Sequence, residues 1–372
     1  MNRSGTMSST LLNEYTHKFP AVRGMQAGRP CYIAMCPMRL IPKLFVFDED
    51  VVPPELRAQR RLNESRVPDI THYLVENPRS YTLSAITASI DGSVIFETVA
   101  DTGPAINLGL LSIGMDTQIL VNDGQHRRKA IEQAVKEAHE LGHDNIPVLF
   151  FVDEGLTRSQ QMFADLNKHA VRPSESLSTL YDHRDDASAL ARYVYECVPC
   201  FKALTDLESS SLSKRSSKLF TLSSLKQASK ALLGKRGKER ISEPEMLVAS
   251  EYWEAVCSNM LDWQDALNRK TSTSDLREQY IHAHGIGLGA LGEAGSDLLR
   301  QFPNDWKKRL SRLSTIDWSR SNIKQWRGRA MDNHGKISKT RSSTILTANV
   351  IRSALGVSLD AEQQNIEDQL NS

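Results

Sequence analysis

The change of sequence pattern at Pro173 constrains the fold of this chain more than any other feature. Before Pro173, short β-rich runs alternate with amphipathic helical stretches, and beyond it strand signals almost vanish. Such a division is typical of an α+β protein with two separate cores. We therefore predict a mixed α/β domain over residues 1–180, a mainly α-helical domain over 181–360, and a polar tail over 361–372.

Turn residues and apolar periodicity predict the elements of these domains. Gly28-Arg29-Pro30 predicts a hairpin turn, and Asp91-Gly92 is the strongest short hairpin signal in the chain. Strand patterns occupy 118–121 and 146–152, and a helix is predicted from 123 to about 141. Further helices are predicted over 54–61, 65–76, 157–169, 174–179, 187–196, 221–233, 243–267, 276–283, 288–300 and 342–355.

The composition is that of an ordinary soluble globular protein, with 40% hydrophobic and 24% charged residues among 372. No apolar run approaches the roughly 18 residues that cross a bilayer. The first 19 residues lack the apolar core of a secretory signal, and five cysteines without a pairing pattern suit a reducing compartment. We therefore expect a cytoplasmic protein without membrane contact.

Positive charge is concentrated in two segments, although the net charge of the chain is only +1. Residues 209–241 contain nine basic and one acidic residue, residues 300–352 contain thirteen basic and three acidic residues, and the remainder carries −17. Two cationic segments favour a polyanion, because each Lys or Arg that meets a phosphate releases a condensed counterion. Double-stranded DNA is the expected partner of this basic helical domain. The alternative is two solvated helical faces that acidic neighbours neutralise.

The DNA contact is expected within these two segments, where the Ser-rich connector 209–218 is predicted to be mobile until it meets a partner. The expected contacts are Lys214, Arg215, Lys218, Lys235, Arg236, Lys238, Arg327, Arg329, Lys336, Lys339 and Arg341. Ser342 or Ser343 can cap a helix that follows Lys336, Lys339 and Arg341. The N-terminus of this helix would present N–H groups to the DNA backbone, or the helix would lie in the major groove as a recognition helix. Trp306, Trp318 and Trp326 would either stack on bases or fill a core, and the core is favoured.

The segment 122–128 has the pattern of a strand that runs into a helix N-terminus. Asp123 is expected to cap this helix, and Gly124 lets a ligand or another backbone approach closely. Residues 126–129 place cations in the first turn, where the helix dipole disfavours each by a few tenths to about 1 kcal/mol. A phosphate over the turn would reverse that sign. The alternative is a capped surface helix whose basic residues pair with acids elsewhere.

The string Asp123-Gly124-Gln125-His126-Arg127 resembles the signature of DGQHR-domain proteins. The chain is similar to the DndB family of these proteins, which is associated with bacterial DNA phosphorothioate-modification clusters. The similarity also includes residues 19–24, 26–29, 40–45, 77–81 and Asp165-Leu166-Asn167 before Arg172. It covers most of the first 180 residues and implies a bacterial cytoplasmic protein.

DGQHR domains are in turn similar to the ParB and sulfiredoxin fold, in which a strand-turn-helix contacts a nucleotide phosphate. Gly124, Arg127 and Ala130 have the ParB-like Gly-x-x-Arg-x-x-Ala spacing. Gln125 stands where sulfiredoxin has its reactive cysteine, which argues against a sulfinic-acid reductase. The resemblance implies a nucleotide-binding set of Asp123, Gly124, Gln125, His126, Arg127, Arg128, Asn167 and Arg172.

The resemblance implies a DNA-binding transcriptional repressor of a phosphorothioate-modification gene cluster. Its partners would be the promoter of its own operon, ATP or another NTP at the turn, and other modification proteins. A palindromic operator would require a homodimer. The alternative is an NTP-hydrolysing or DNA-nicking enzyme of the same system, with Mg²⁺ for hydrolysis, although no catalytic carboxylate is evident. A pure scaffold suits the charge segregation poorly.

Two further motifs are interpreted structurally. Gly287-x-Gly289-x-x-Gly292 follows a helical stretch and not a strand, so we predict close helix packing and not a dinucleotide site. Cys197 and Cys200 could form a redox pair, or half of a zinc site completed by Cys31 and Cys36, and buried thiols are favoured. No metal site is therefore predicted.

Overall fold

The computed structural model describes residues 16–45, 66–115, 117–152, 162, 165–166, 173–338 and 340–371. The chain forms two compact units, Met1–Val171 and Arg172–Ser372. The first contains a mixed sheet and the second is mainly helical, which confirms the α+β class. None of the described helices is long and apolar enough to cross a membrane. The predicted helix over 54–61 lies outside the described residues, and so does most of the one over 157–169.

The described part of the first unit contains seven strands in one sheet, three helices and three 3-10 turns. The strands are β1 Thr16–Gln26, β2 Arg29–Pro37, β3 Ile86–Asp91, β4 Val94–Thr98, β5 Leu108–Gly114, β6 Gln118–Asp123 and β7 Asn145–Val152. The helices are α1 Ile41–Leu44, α2 Val67–Glu76 and α3 Gln125–Glu137, and the 3-10 turns are Met38–Leu40, Pro104–Asn107 and His139–His143. The predicted β1–β2 hairpin is confirmed.

The chain bends at Asp91-Gly92, where the hairpin prediction is wrong. β3 pairs with β6 and β4 pairs with β5. The consecutive strands β3 and β4 therefore both pair antiparallel with the returning segment formed by β5 and β6. The strand order is β4-β5-β1-β2-β7-β3-β6, so β4 lies at one edge of the sheet and β3 lies next to the other edge. Only Gly92 and Ser93 link β3 to β4, and two residues span about 7 Å. The sheet must therefore curl until its two edges approach each other at this link. Gly92 has φ +150, and a Cβ there would lie 3.0 Å from Thr117. The local turn signal was correct, but long-range pairing decided the partners.

Helices α1 to α3 and the inner face of the curled sheet enclose one core. Leu74 of α2 and Ile131 of α3 pack with Ile86, Val121 and Phe150, and all five are buried. Because α3 follows β6 directly, its first turn lies at the end of β6 and beside the start of β3. The core therefore fixes the position of the DGQHR string.

The second unit is a helical assembly with one short parallel pair of strands, β8 Thr205–Asp206 and β9 Phe220–Thr221. Its helices begin with α4 Glu175–Tyr181, α5 Asp186–Cys197, α6 Pro199–Leu204, α7 Leu222–Leu232, α8 Glu243–Asn259, α9 Leu261–Leu267 and α10 Thr273–Gln279. They continue with α11 Gly285–Gln301, α12 Trp306–Leu310, α13 Ile323–Trp326, α14 Arg341–Leu355 and α15 Ala361–Asn371, and 3-10 turns occupy Ile281–Ala283 and Ser311–Thr315. Buried, non-helical Met260 divides the single helix predicted over 243–267 into α8 and α9.

Helices α7 and α11 pack closely and in parallel. A Cβ at Gly285 would lie 3.5 Å from Ser224, and one at Gly292 would overlap the backbone of Ala228. Residue numbers therefore rise together along both helices. The close-packing interpretation of the glycine motif in 287–292 is confirmed.

Helix α14 packs on α11 in the same direction. A Cβ at Gly289 would lie 3.7 Å from Thr344, and Arg352 Nε donates to Asp297 Oδ2 at 2.8 Å. The N-termini of α7, α11 and α14 therefore lie at the same end of this three-helix layer. We term this end the basic end, because both basic segments of the sequence lead into it.

Candidate nucleic-acid interface

The DGQHR string occupies the junction between β6 and α3. Gly124 is the N-cap residue of α3 and has φ +102, a left-handed conformation that residues with a Cβ rarely adopt. A Cβ at this position would lie 3.0 Å from Ile86 Cγ1 and 3.1 Å from Arg127 Nη2. Glycine is therefore required both by the turn and by the close approach of the guanidinium.

Asp123 does not cap α3, contrary to the prediction. Its Oδ2 accepts a hydrogen bond from Arg127 Nη2 at 2.7 Å, and the same nitrogen donates to the Ala85 carbonyl at 3.0 Å. Because the N-cap residue is Gly124, no N-cap side chain bonds the helix-start N–H groups. Two buried atoms, Gln125 Oε1 and Arg127 Nε, also lack a hydrogen-bond partner within the described residues.

Arg128 is buried and anchors a neighbouring stretch of chain. Its Nε donates to the Phe45 carbonyl at 3.1 Å, its Nη2 to the Pro42 carbonyl at 3.3 Å, and its Nη1 to Glu132 at 3.0 Å. Burial lowers the pKa of Arg128, and Glu132 opposes that effect. Lys129 also pairs with Glu132, at 3.2 Å. For these two cations the geometry agrees with the alternative of pairing inside the unit.

His126 is half-buried in the first turn of α3. Burial lowers the pKa of His126, the cations Arg66 and Arg127 lower it further, and Asp123 acts in the opposite sense. An anion beside the imidazole would raise this pKa again. The turn thus combines a glycine N-cap with a polar cluster in which Asp123 is the single acid among residues 123–129 and is paired with Arg127.

Both basic segments enter the second unit at its basic end. Residues 213–218 precede α7, and residues 327–340 precede α14. Because α7, α11 and α14 are parallel, their positive dipole ends also point there. The end of one helical layer therefore collects cationic side chains and helix N-termini.

Arg277 holds the first basic segment in a fixed conformation. Its Nη2 donates to the carbonyls of Ser213 at 3.0 Å, Lys214 at 3.0 Å and Ser216 at 3.1 Å. These hydrogen bonds hold residues 213–216 of the connector against the unit, and the side chains of Lys214 and Arg215 are exposed. No sequence pattern marked Arg277, because its partners are main-chain carbonyls 59 to 64 residues away.

The predicted DNA contacts differ in their availability. Four have partners within the unit, namely Lys218 with the Ala203 carbonyl, Lys235 with Glu245, Arg329 with Glu367 and Arg341 with Glu293. The Arg341 side chain is nevertheless 74% exposed, whereas that of Arg329 is 15% exposed. The exposed members are Lys214, Arg215, Arg236, Lys238, Arg327, Lys336 and Arg341. Asn167, Arg172 and Lys339 lie outside the described residues.

The basic block 209–241 is divided by the fold. Lys235, Arg236 and Lys238 follow the C-terminus of α7, where a Cβ at Gly234 would lie 3.6 Å from Ser296 in the last third of α11. Helix α7 has 11 residues and a length of about 16 Å. These three residues therefore lie at the other end of the three-helix layer. The first basic segment, which is continuous in the sequence, forms two separate patches in the structure.

One family model matches most of the chain. It is DndB, described as DNA-sulfur modification-associated, and the match covers residues 19–358. The chain belongs to the DndB family. Comparisons with curated proteins and with solved structures gave no match. The DndB assignment confirms the resemblance seen in the DGQHR string and links the protein to DNA sulfur modification.

Two tryptophans of the second basic segment belong to the core of this DndB-family protein. Trp318 and Trp326 are buried and stack with ring centroids 5.6 Å apart. Trp306 is partly buried against Tyr252, with centroids 6.0 Å apart. The core interpretation is confirmed for the buried pair, so they do not serve as platforms for bases.

The cysteines are mostly interior residues of the DndB-family chain. Cys31, Cys36, Cys200 and Cys257 are buried, and Cys197 is exposed. Within the described residues, no group of three His, Cys, Asp or Glu side chains has the geometry of a metal site. The interpretation of Cys200 as a buried thiol is confirmed, whereas its neighbour Cys197 faces solvent.

Proposed function

We propose that this protein is a DNA-binding transcriptional regulator that represses the gene cluster for DNA phosphorothioate modification. The observation that carries the proposal is the convergence of both basic segments on the basic end. Lys214, Arg215 and Lys336 are exposed there, beside the N-termini of parallel helices. Phosphates would gain charge-assisted bonds, the favourable end of the helix dipoles and the entropy of released counterions.

A repressor must also prefer its operator over other duplexes. The test is a competition between a labelled duplex from the promoter of the neighbouring modification operon and unlabelled random duplex at fixed salt. Specific binding typically exceeds non-specific binding by at least about 10³-fold. We expect a preference of that order, whereas equal competition by both duplexes contradicts the repressor function.

We further propose that the turn 123–127 binds a phosphate of ATP or another NTP. The proposal is supported by the glycine N-cap, by the buried Nε of Arg127, which has no hydrogen-bond partner among the described residues, and by the lowered pKa of His126. Loss of a charge-assisted bond in Arg127→Gln should weaken ATP binding by about 10- to 100-fold in calorimetry. Lys136→Gln, in the last turn of α3, is the matched control, and equal weakening by both variants contradicts the site.

Nucleotide hydrolysis would favour the alternative, an NTP-hydrolysing or DNA-nicking enzyme. Phosphate release is measured with Mg²⁺, with and without DNA, for wild type and Arg127→Ala. A regulator should release phosphate at the rate of the protein-free blank in both cases. A wild-type rate that Arg127→Ala abolishes favours the enzyme.

A further inference from the structure

Helix α15 is an acidic segment that lies beyond the residues matched by the family model. It contains Glu362, Glu367 and Asp368 and no Lys or Arg. It packs along α14 in the opposite direction, because Gln363 contacts Asn349 and Leu370 contacts Gly328, which precedes α14. Its C-terminal end, with two of its three acids, therefore points toward the second basic segment.

Glu367 binds one of the predicted DNA contacts in a fork. Arg329 Nη1 donates to Oε2 at 2.8 Å and Nη2 donates to Oε1, while Asn349 Nδ2 donates to Oε2 at 3.0 Å. The Arg329 guanidinium lowers the pKa of Glu367. A guanidinium fork with a neighbouring amide fits two phosphate oxygens as well as it fits a carboxylate.

A polar groove continues from this fork. Its volume is about 590 Å³, and Asn322, Lys324, Gln325 and Ser353 are among its lining residues together with Arg329 and Asn349. Glu367 is the single acid on its wall among the described residues. Without that carboxylate, the groove would be lined by amide, hydroxyl and cationic donors together with the apolar Val350 and Leu359.

The attachment of α15 is shallow. None of its residues 361–370 is buried, and Ile366 and Leu370 are only half-buried. By contrast, α14 buries nine of its fifteen residues. Apart from the contact of Leu370 with Gly328, the described contacts that hold α15 are mainly polar, among them Gln363 Nε2 to Asp297 at 3.1 Å. Displacement of α15 would therefore expose little apolar surface.

We propose that the groove of Arg329 and Asn349 is a binding site for the phosphodiester backbone of duplex DNA, and that Glu367 of α15 occupies it as a phosphate substitute until DNA displaces the helix. This proposal rests on the DNA binding proposed above and extends it by regulation. Helix α15 then acts as a built-in competitor that weakens non-specific binding.

The test compares Glu367→Gln with Asp368→Asn, which removes the same charge from the neighbouring exposed position. Affinity for a labelled random-sequence duplex is measured by fluorescence anisotropy over a range of salt concentrations. One additional phosphate contact makes the salt slope steeper by about 0.9, which is about eightfold in affinity at 0.1 M salt. We expect this gain in Glu367→Gln, its loss in Glu367→Gln/Arg329→Gln, and a much smaller change in Asp368→Asn.

Hydrogen exchange on the wild-type chain provides a second test that does not depend on a variant. Addition of duplex should lower the protection of the α15 amides while the amides of α14 stay protected. Unchanged α15 protection in the DNA complex, or equal slopes for wild type and Glu367→Gln, overturns this proposal alone. If neither wild type nor Glu367→Gln binds DNA at low salt, the proposed DNA-binding function fails, and this inference fails with it.

Discussion

The DGQHR turn and the basic end use the same residue types in opposite ways. At the turn, Arg127 bonds to Asp123 and a carbonyl, and Arg128 bonds to two carbonyls and Glu132. At the basic end, Arg277 is half-buried and lies outside the basic segments, and it binds the main chain of the connector, so that the side chains of Lys214 and Arg215 remain exposed. Charge density in the sequence therefore does not identify an anion site, because it does not show which cations already have hydrogen-bond partners in the fold.

The largest effect is expected at the glycine that makes the turn possible. Gly124→Val introduces a β-branched side chain at φ +102 and a contact with Ile86, and should cost about 3–5 kcal/mol. Gly28→Ala is the control, because Gly28 has φ +75 and open space around it, and should cost about 1 kcal/mol. Hydrogen exchange of the β3 and β6 amides measures both. Equal protection in the two variants would contradict the structural role of Gly124.

The second-largest effect is a pH dependence of stability that arises at the basic end. Burial lowers the pKa of His284, at the start of α11, to about 4, and its Nε2 donates to the Arg277 carbonyl at 2.7 Å. The unfolded chain takes up a proton near pH 6.5 and the folded chain does not. Stability should therefore fall by about 3 kcal/mol as the pH falls from 6.5 to 4.

Tryptophan fluorescence reports this loss, because all five tryptophans lie in the second unit, at Trp253, Trp263, Trp306, Trp318 and Trp326. His284→Gln keeps a donor for the carbonyl but does not titrate, so its stability should change much less over this interval. An identical pH dependence in wild type and His284→Gln would contradict the assignment.

A smaller effect tests the difference in how the two regions use their cations. Arg128→Met leaves two carbonyls without their donor and should cost about 2–3 kcal/mol. Lys336→Met, at the basic end, should change stability by less than about 0.5 kcal/mol because its side chain is exposed. Urea denaturation of the two variants measures both values. A larger loss in Lys336→Met than in Arg128→Met would reverse the comparison.

Local signals in the sequence predicted the fold class, the β6–α3 junction and the close helix packing at Gly292. These features depend on periodicity, on glycine and on neighbours in the chain. The pairing at Asp91-Gly92 and the anchoring by Arg277 could not be predicted, because they depend on contacts between distant segments. The basic block 209–241 also gave no sign that α7 separates its two halves.

The central claim is that DNA contacts the basic end and not the patch of Arg236, Lys238 and Arg240 that follows the C-terminus of α7. The most direct measurement compares two triple variants that remove equal charge, Lys214→Gln/Arg215→Gln/Lys336→Gln at the basic end and Arg236→Gln/Lys238→Gln/Arg240→Gln at the other end. The dependence of log affinity on log salt for random duplex should become shallower by about 2–3 in the first triple and stay unchanged in the second. Equal slopes in the two triples would contradict the claim.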